Sequence, residues 1–221
     1  MRGVGGSLIY FLDRASALGR VWEIEFDSTG GDIGQETGLT RVDHISQSMQ
    51  YDEMLSWMLF YTSLLDLEKV PAQEVADPGG LVRSQVIEAK DGALRFVLNA
   101  SQSQRTQSSR FLSELFGSGV QHIAFATDDL VATVAKLKRN GVRLLKIPAN
   151  YYDDLEAKTD LPASQIETLR AHDILYDRDG TSEYLQVYTE KSGVNQIVVD
   201  SSDDWKGVVV LLVLGIIVAH S

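Results

Sequence analysis

The chain has 221 residues, 44% hydrophobic and 23% charged, the composition of an ordinary globular protein with room for one or two modules. Its formal net charge of −11 argues against nucleic acid and anionic membrane surfaces as partners. It has no cysteine, which excludes disulfides and thiolate metal sites, so any metal must be held by histidine and carboxylate.

No basic, apolar leader opens the chain, which argues for the cytoplasm rather than secretion. "GVGGSLIYFLDR" carries a strand-like run from Ser7 to Leu12, and "RVWEIEFD", Arg20 to Asp27, reads as a second strand. In it Trp22, Ile24 and Phe26 alternate with Glu23 and Glu25. Joined through "ASALG", the two make a hairpin too small to bury its own apolar face. Residues 1–37 therefore read as the remnant of a preceding module plus a linker, "STGGDIGQETG".

From Gly38 the chain repeats itself. "GLTRVDHISQSMQYDEMLSWMLFYTSLLDL" predicts a strand with His44, a short connection and an amphipathic helix over about Asp52 to Leu64. Met54, Trp57, Met58 and Tyr61 share one face of that helix. Strands "LVRSQVIEA" (81–89) and "ALRFVLNA" (93–100) follow, turning at "KDG". "GVQHIAFATDDLVATVAKLKRNGVRLL" repeats the theme from Gly119. His122 lies in a strand otherwise made for a core, "TDDL" supplies an N-cap, and a helix with Leu130, Val134 and Leu137 on one face stops at Asn140-Gly141. A helical excursion over about 151–171 comes next, then two strands around "RDGTS" (172–190) and a last one at "VNQIVVD" (194–200). Each unit (38–100 and 119–200) is β-α-β-β-β, an α+β fold.

A lone imidazole in an apolar strand is costly unless it has a partner, and the bland reading is a core histidine bonded to a carbonyl. Matched positions in a repeat change that balance. If the units pair about a pseudo-twofold axis, the first strands lie side by side and His44 and His122 converge as metal ligands. His172 at a helix end and His220 in the tail have no such relation. Beyond residue 200 the chain turns apolar, with "VVVLLVLGIIVA" from Val208. Twelve residues fall short of the roughly 20 a spanning helix needs. A β-rich sticky segment, a marginal tail anchor and sequence foreign to the fold all remain as readings of 201–221.

"VDHISQSM", "GVQHIAFATDDL", "IPANYYDDL" and "YDRDGTSEYLQVYTE" resemble the second half of 4-hydroxyphenylpyruvate dioxygenases, of the vicinal oxygen chelate superfamily. They also resemble the dioxygenase-like C-terminal region of 3-dehydroshikimate dehydratases, in which a "GGSLIYF-DR" segment closes the preceding module as residues 5–14 do here. The resemblance implies paired βαβββ modules forming a cupped mixed sheet. It also implies a divalent metal, Fe(II) in the dioxygenases with Mg, Mn or Co as alternatives, held by two histidines that match His44 and His122. Gln186 matches a glutamine that lines the substrate pocket, and the implied substrate is a small aromatic or 2-oxo acid. The dehydratase chemistry belongs to a separate barrel that this chain does not contain, so missing N-terminal modules or a homo-oligomer are the partners implied. A non-catalytic stabilising or regulatory module and an incomplete gene product are the alternatives to an active enzyme. The family's third ligand, a glutamate on the last strand, has no motif match. Counting back from "DDWKG" reaches Ile197 or Val198, and counting on from Gln186 reaches a window containing Asp200, the chemically plausible substitute. Glu183 matches a different position and is expected to face away. The resemblance stops at about Glu190, where a spliced or frame-shifted terminus would explain both the lost glutamate and the apolar tail.

Overall fold

Strand-forming runs and amphipathic helices alternate through the computed structural model, which describes residues 1–13, 15–27, 36–77, 79–179, 182–191 and 196–202. In the first unit, β1 (Leu39–Ser48) leads to helix α2 (Met54–Leu65), the short strands β2 (Glu68–Lys69) and β3 (Gln73–Asp77), and the hairpin β4 (Gly80–Glu88) and β5 (Arg95–Ala100). Helix α3 (Gln107–Leu115) bridges to the second unit. There β6 (Gly119–Thr127) is followed by helices α4 (Leu130–Arg139), α5 (Ala149–Lys158) and α6 (Ala163–His172), then β7 (Leu175–Asp179), β8 (Ser182–Tyr188) and β9 (Gln196–Ser202). Helix α1 (Val21–Glu25) precedes both units.

The strands form one curled mixed sheet in the order β2-β4-β5-β1-β6-β9-β8-β7, with β3 also paired to β4. Each unit places its last strand parallel to its first, β5 beside β1 and β9 beside β6. The two first strands pair antiparallel at the centre. This is the α+β, cupped-sheet architecture that the repeat predicts.

Each unit covers the outer face of its half-sheet with its own helices. In α2 the predicted stripe turns inward: Met54 and Tyr61 are buried, Trp57 and Met58 half-buried, and the Tyr61 ring stacks on Phe96 of β5 at 4.6 Å. In α4, Asp129 caps the N-terminus by accepting from the Ala132 amide at 2.9 Å. Leu130, Val134 and Leu137 enter a cluster with Ile166, Ile174, Val187 and Val199, each such side chain contributing about 1.5–3 kcal/mol. The predicted excursion is α5 and α6. Helix α3, which the sequence reading missed, lies on the opposite face of the first half-sheet from α2, where Ser108 Oγ donates to Ser48 Oγ at 3.2 Å.

The N-terminal hairpin is corrected. Leu8 makes a single bridge to Arg2, and the expected second strand is a 3₁₀ turn (Ala17–Arg20) running into α1. The alternation in "VWEIEF" had no sheet to join among the described residues. Trp22, Ile24 and Phe26 stay 63%, 67% and 62% exposed, and the backbone closes its hydrogen bonds locally instead, helped by Ser16 accepting from the Leu18 amide. The opening residues do join the fold. Val4 is fully buried beside Met49, Met54 and Tyr61. Gly5 at φ +62° passes so close to the Ser118 carbonyl that a Cβ would meet it at 1.9 Å. Among the described residues no helix is long and apolar enough to cross a membrane. The apolar run at 208–219 and His220 lie outside them.

Candidate metal centre

The central ladder sets the geometry. Ile45 pairs with Ile123, and on either side His44 pairs with Ala124 and Ser46 with His122. The two histidines are thus diagonal neighbours on one face, within reach of long side chains. The ladder skips one residue before each of them: Asp43 on β1 and Gln121 on β6 are extra residues opposed by no partner, a β-bulge in each strand. Regular alternation would turn Asp43 and Gln121 away from the histidine face, yet both are buried.

His44 and His122 are 1% and 2% exposed, with Nε2 atoms 3.4 Å apart. On the other side of its ring, His44 Nδ1 donates to Asp43 Oδ2 at 2.9 Å. Arg95 donates to both oxygens of Asp43, at 3.2 and 3.1 Å, and Arg41 stands 3.0 Å from Oδ1. Burial pushes the Asp43 carboxyl up, but the His44 hydrogen bond and the Arg95 and Arg41 charges outweigh it and hold it below the usual carboxylate range. Burial, reinforced by His44, holds His122 well below the ordinary imidazole value. His122 is therefore the neutral, ligating form at physiological pH.

The second half-sheet brings Asp200 and Gln186 to the same face. They pair across β8 and β9, and Asp200 registers with Ala126. Asp200 Oδ2 stands 3.8 Å from His44 Nδ1 and has no hydrogen-bond partner among the described residues. Burial and the charge of Asp43 push Asp200 up to about 8, with Arg41 and Arg95 opposing. Gln186 Oε1 accepts from the Tyr188 hydroxyl at 3.2 Å. Burial, with Asp200 adding, raises the Tyr188 phenol and keeps it a donor. Glu183 lies outside the cluster and accepts from the Tyr176 hydroxyl at 2.9 Å.

The two positions that the backward count reaches for the family glutamate separate by face. Ile197 registers with Ile123, and both are exposed, at 46% and 36%. Val198 registers with Ala124 and Tyr188 on the histidine face and is fully buried.

A divalent ion fits these residues in part. Nitrogens 3.4 Å apart can share an ion through bonds of about 2.0–2.1 Å. Asp43, His44 and Asp200 offer atoms within 4.8 Å of one another, a group that does not include His122. Asp200 thus approaches the Nδ1 edge of His44, whereas His122 faces Nε2. Asp43, Arg95 and Tyr188 were not singled out as site residues in the sequence. Only the "DH" pair hinted at Asp43, and the bulge that turns it inward has no signature in the hydrophobic pattern.

The family model described as Glyoxalase/Bleomycin resistance protein/Dioxygenase superfamily matches residues 41–180, which include both histidines and end before Gln186 and Asp200. A 3-dehydroshikimate dehydratase of Pseudomonas putida is 39% identical over 191 residues, 86% of this chain and 30% of that protein. A 4-hydroxyphenylpyruvate dioxygenase of Pseudomonas aeruginosa is 30% identical over 196 residues, 86% of this chain and 54% of that protein. A solved xylose isomerase-like TIM barrel/4-hydroxyphenylpyruvate dioxygenase fusion protein superposes with a TM-score of 0.63 at 37% identity, over 77% of this chain and 27% of that one. The chain therefore spans under a third of the dehydratase and about half of the dioxygenase.

Proposed function

The chain belongs to the glyoxalase/bleomycin resistance protein/dioxygenase superfamily, and from that membership we propose that residues 38–200 are a metal-dependent, dioxygenase-like domain. In this reading His44 and His122 hold the ion, and Asp200 is the carboxylate that substitutes for the glutamate absent at Val198. Residues 1–37 and 201–221 flank the domain, in a cytoplasmic protein. One observation carries the reading: two buried imidazoles from matched strands face each other through Nε2 at 3.4 Å. Four buried oxygens on the strands that carry and flank them, Gln47 Oε1, Asn99 Oδ1, Gln121 Oε1 and Asp200 Oδ2, have no partner among the described residues. Each costs about 1–3 kcal/mol unless an ion or a polar ligand meets it.

A bound divalent ion supplies Lewis acidity toward a chelating 2-oxo acid and, as Fe(II), electrons for dioxygen. The protein's part is to hold the two buried imidazoles face to face and to offer the Gln186 amide for orientation. Gln186, fixed by the Tyr188 hydroxyl, is the residue we assign to an aromatic or 2-oxo acid substrate.

Partial coverage of the relatives favours a second reading, in which this is one module of a longer 3-dehydroshikimate dehydratase and stabilises it without turning over. Metal analysis and oxygen uptake separate the two. We expect weak Fe(II) or Co(II) binding that weakens further in Asp200→Ala, no dehydratase activity, and little oxygen uptake with 4-hydroxyphenylpyruvate. Turnover of about 1 per second or more would establish a working dioxygenase in this chain alone. Equal metal content in the protein and in the His44→Ala/His122→Ala double variant would remove the metal site.

A further inference from the structure

On distance alone Asp43 is a candidate third ligand, since it belongs to the group with His44 and Asp200. Its surroundings argue otherwise. Both of its oxygens are already engaged: Oδ2 by His44 Nδ1 at 2.9 Å and Arg95 at 3.1 Å, Oδ1 by Arg95 at 3.2 Å and Arg41 at 3.0 Å. Two of these neighbours are guanidinium groups, which do not deprotonate, so an ion on Asp43 would face two fixed positive charges.

Those contacts form a chain across three neighbouring strands. Glu88 on β4 accepts from Arg95 Nε at 2.7 Å, Arg95 on β5 holds Asp43, and Asp43 on β1 holds the His44 ring. The bulge makes the last link, because it turns inward a residue that alternation would send outward. The matching bulge residue Gln121 has an unpartnered Oε1, so the bulge alone does not create the contact. It also takes an acceptor of aspartate's length and shape at that position.

We infer that Asp43 is a positioning residue rather than a ligand: anchored by Arg95 and Arg41, it fixes His44 as the Nδ1–H tautomer and aims the Nε2 lone pair at His122. A carboxylate behind a ligating imidazole sets both its tautomer and its orientation, and removing such a group costs about 10–100-fold in metal affinity. The affinity consequence rests on the His44–His122 site proposed above. The tautomer consequence holds with no ion at all.

Nitrogen-15 NMR of the imidazoles in metal-free protein, paired with Co(II) titration, tests the inference. In the wild type His44 shows one tautomer, protonated on Nδ1. Asp43→Asn keeps an acceptor of the same shape, so the tautomer persists and Co(II) affinity stays within about tenfold. Asp43→Ala mixes the tautomers and weakens Co(II) about 10–100-fold, without the complete loss expected of His44→Ala. A wild-type His44 protonated on Nε2 overturns the inference. So does an Asp43→Asn protein that folds and loses Co(II) as completely as His44→Ala, the behaviour of a lost ligand. If the wild type binds no Co(II), the proposed function fails while the spectra still decide the role of Asp43.

Discussion

The two units share one plan and diverge where chemistry is at stake. Their ladders superimpose residue for residue: His44 matches His122, bulge residue Asp43 matches Gln121, and the pair Ser84–Asn99 matches Gln186–Asp200. Around this common frame the first unit is neutralised and filled. Asn99 Nδ2 donates to Ser46 Oγ at 2.9 Å, α3 lies over Ser48, and Asp43 is locked by arginines. In the second unit the equivalent of Asn99 is an aspartate; Asn99 Oδ1 and Asp200 Oδ2 both lack a partner among the described residues, but only the aspartate can carry a charge. The first half thus bonds its histidine to a carboxylate, and the second carries an acid where the first has an amide.

The largest effect expected is loss of the ion. His44→Ala and His122→Ala each leave one imidazole, too few ligands for a divalent ion, so Co(II) binding by calorimetry should vanish in both. Retention in either single variant would show that the two units do not share one ion. Next is the core of the first unit, where Tyr61→Ala removes the ring stacked on Phe96 and should cost about 3–5 kcal/mol. The β1–β6 ladder at the centre of the sheet couples the halves, so urea unfolding should remain one transition by tryptophan fluorescence and far-ultraviolet circular dichroism. Two transitions would mean that the units fold separately.

Restoring the carboxylate sharpens the contrast further. Val198 lies on the histidine face and Ile197 on the exposed one, so Val198→Glu should tighten Co(II) about tenfold, or by about 1.4 kcal/mol. It should also make thermal stability depend on added metal, because a buried glutamate without an ion is costly. Ile197→Glu should change neither. The reverse outcome would invert the face assignment of β9.

Periodicity and repetition made the frame legible. A core-like apolar run marked β6 and the repeat marked β1, Asp129 and Asn140-Gly141 bracketed α4 at both ends, and two histidines at one place in a repeat argued for convergence. What periodicity could not carry was anything that breaks it. The bulges at Asp43 and Gln121 add one residue each, which in the sequence looks like ordinary strand. Helix α3, "QSSRFLSEL", did carry a helical signal that the sequence reading missed: Ser108, Phe111 and Leu112 share its buried face, and Thr106 caps it by accepting from the Ser109 amide. The N-terminal alternation misled for the opposite reason: Trp22, Ile24 and Phe26 keep a strand's pattern while being exposed in a helix and its flank.

The smallest effect compares two helix ends. Helices α2 and α6 both terminate on an aspartate in the left-handed region, Asp66 at φ +52° and Asp173 at φ +59°. That conformation favours glycine. Asp66 is exposed, so Asp66→Gly should relieve strain and stabilise by about 0.5–1 kcal/mol. Asp173 is buried, and its Oδ2 accepts from Lys138 at 3.1 Å and Lys146 at 2.9 Å. Burial pushes its carboxyl up, but the two lysine bonds and the Lys138 charge outweigh that and hold it below the ordinary aspartate value. Lys146 is 80% exposed and screened by solvent, so losing the charge costs about 1 kcal/mol. Asp173→Asn, which keeps the left-handed preference, should therefore destabilise by that amount at neutral pH. A carboxyl whose folded value is depressed contributes in full above its unfolded value and loses the contribution as pH falls through the folded one. The gap between Asp173→Asn and wild type should accordingly be constant from pH 7 to about 5 and close below about pH 4. Urea midpoints at pH 7, 5 and 3 measure it. A gap that widened toward pH 3 would show that the aspartate is not held as a carboxylate by its lysines.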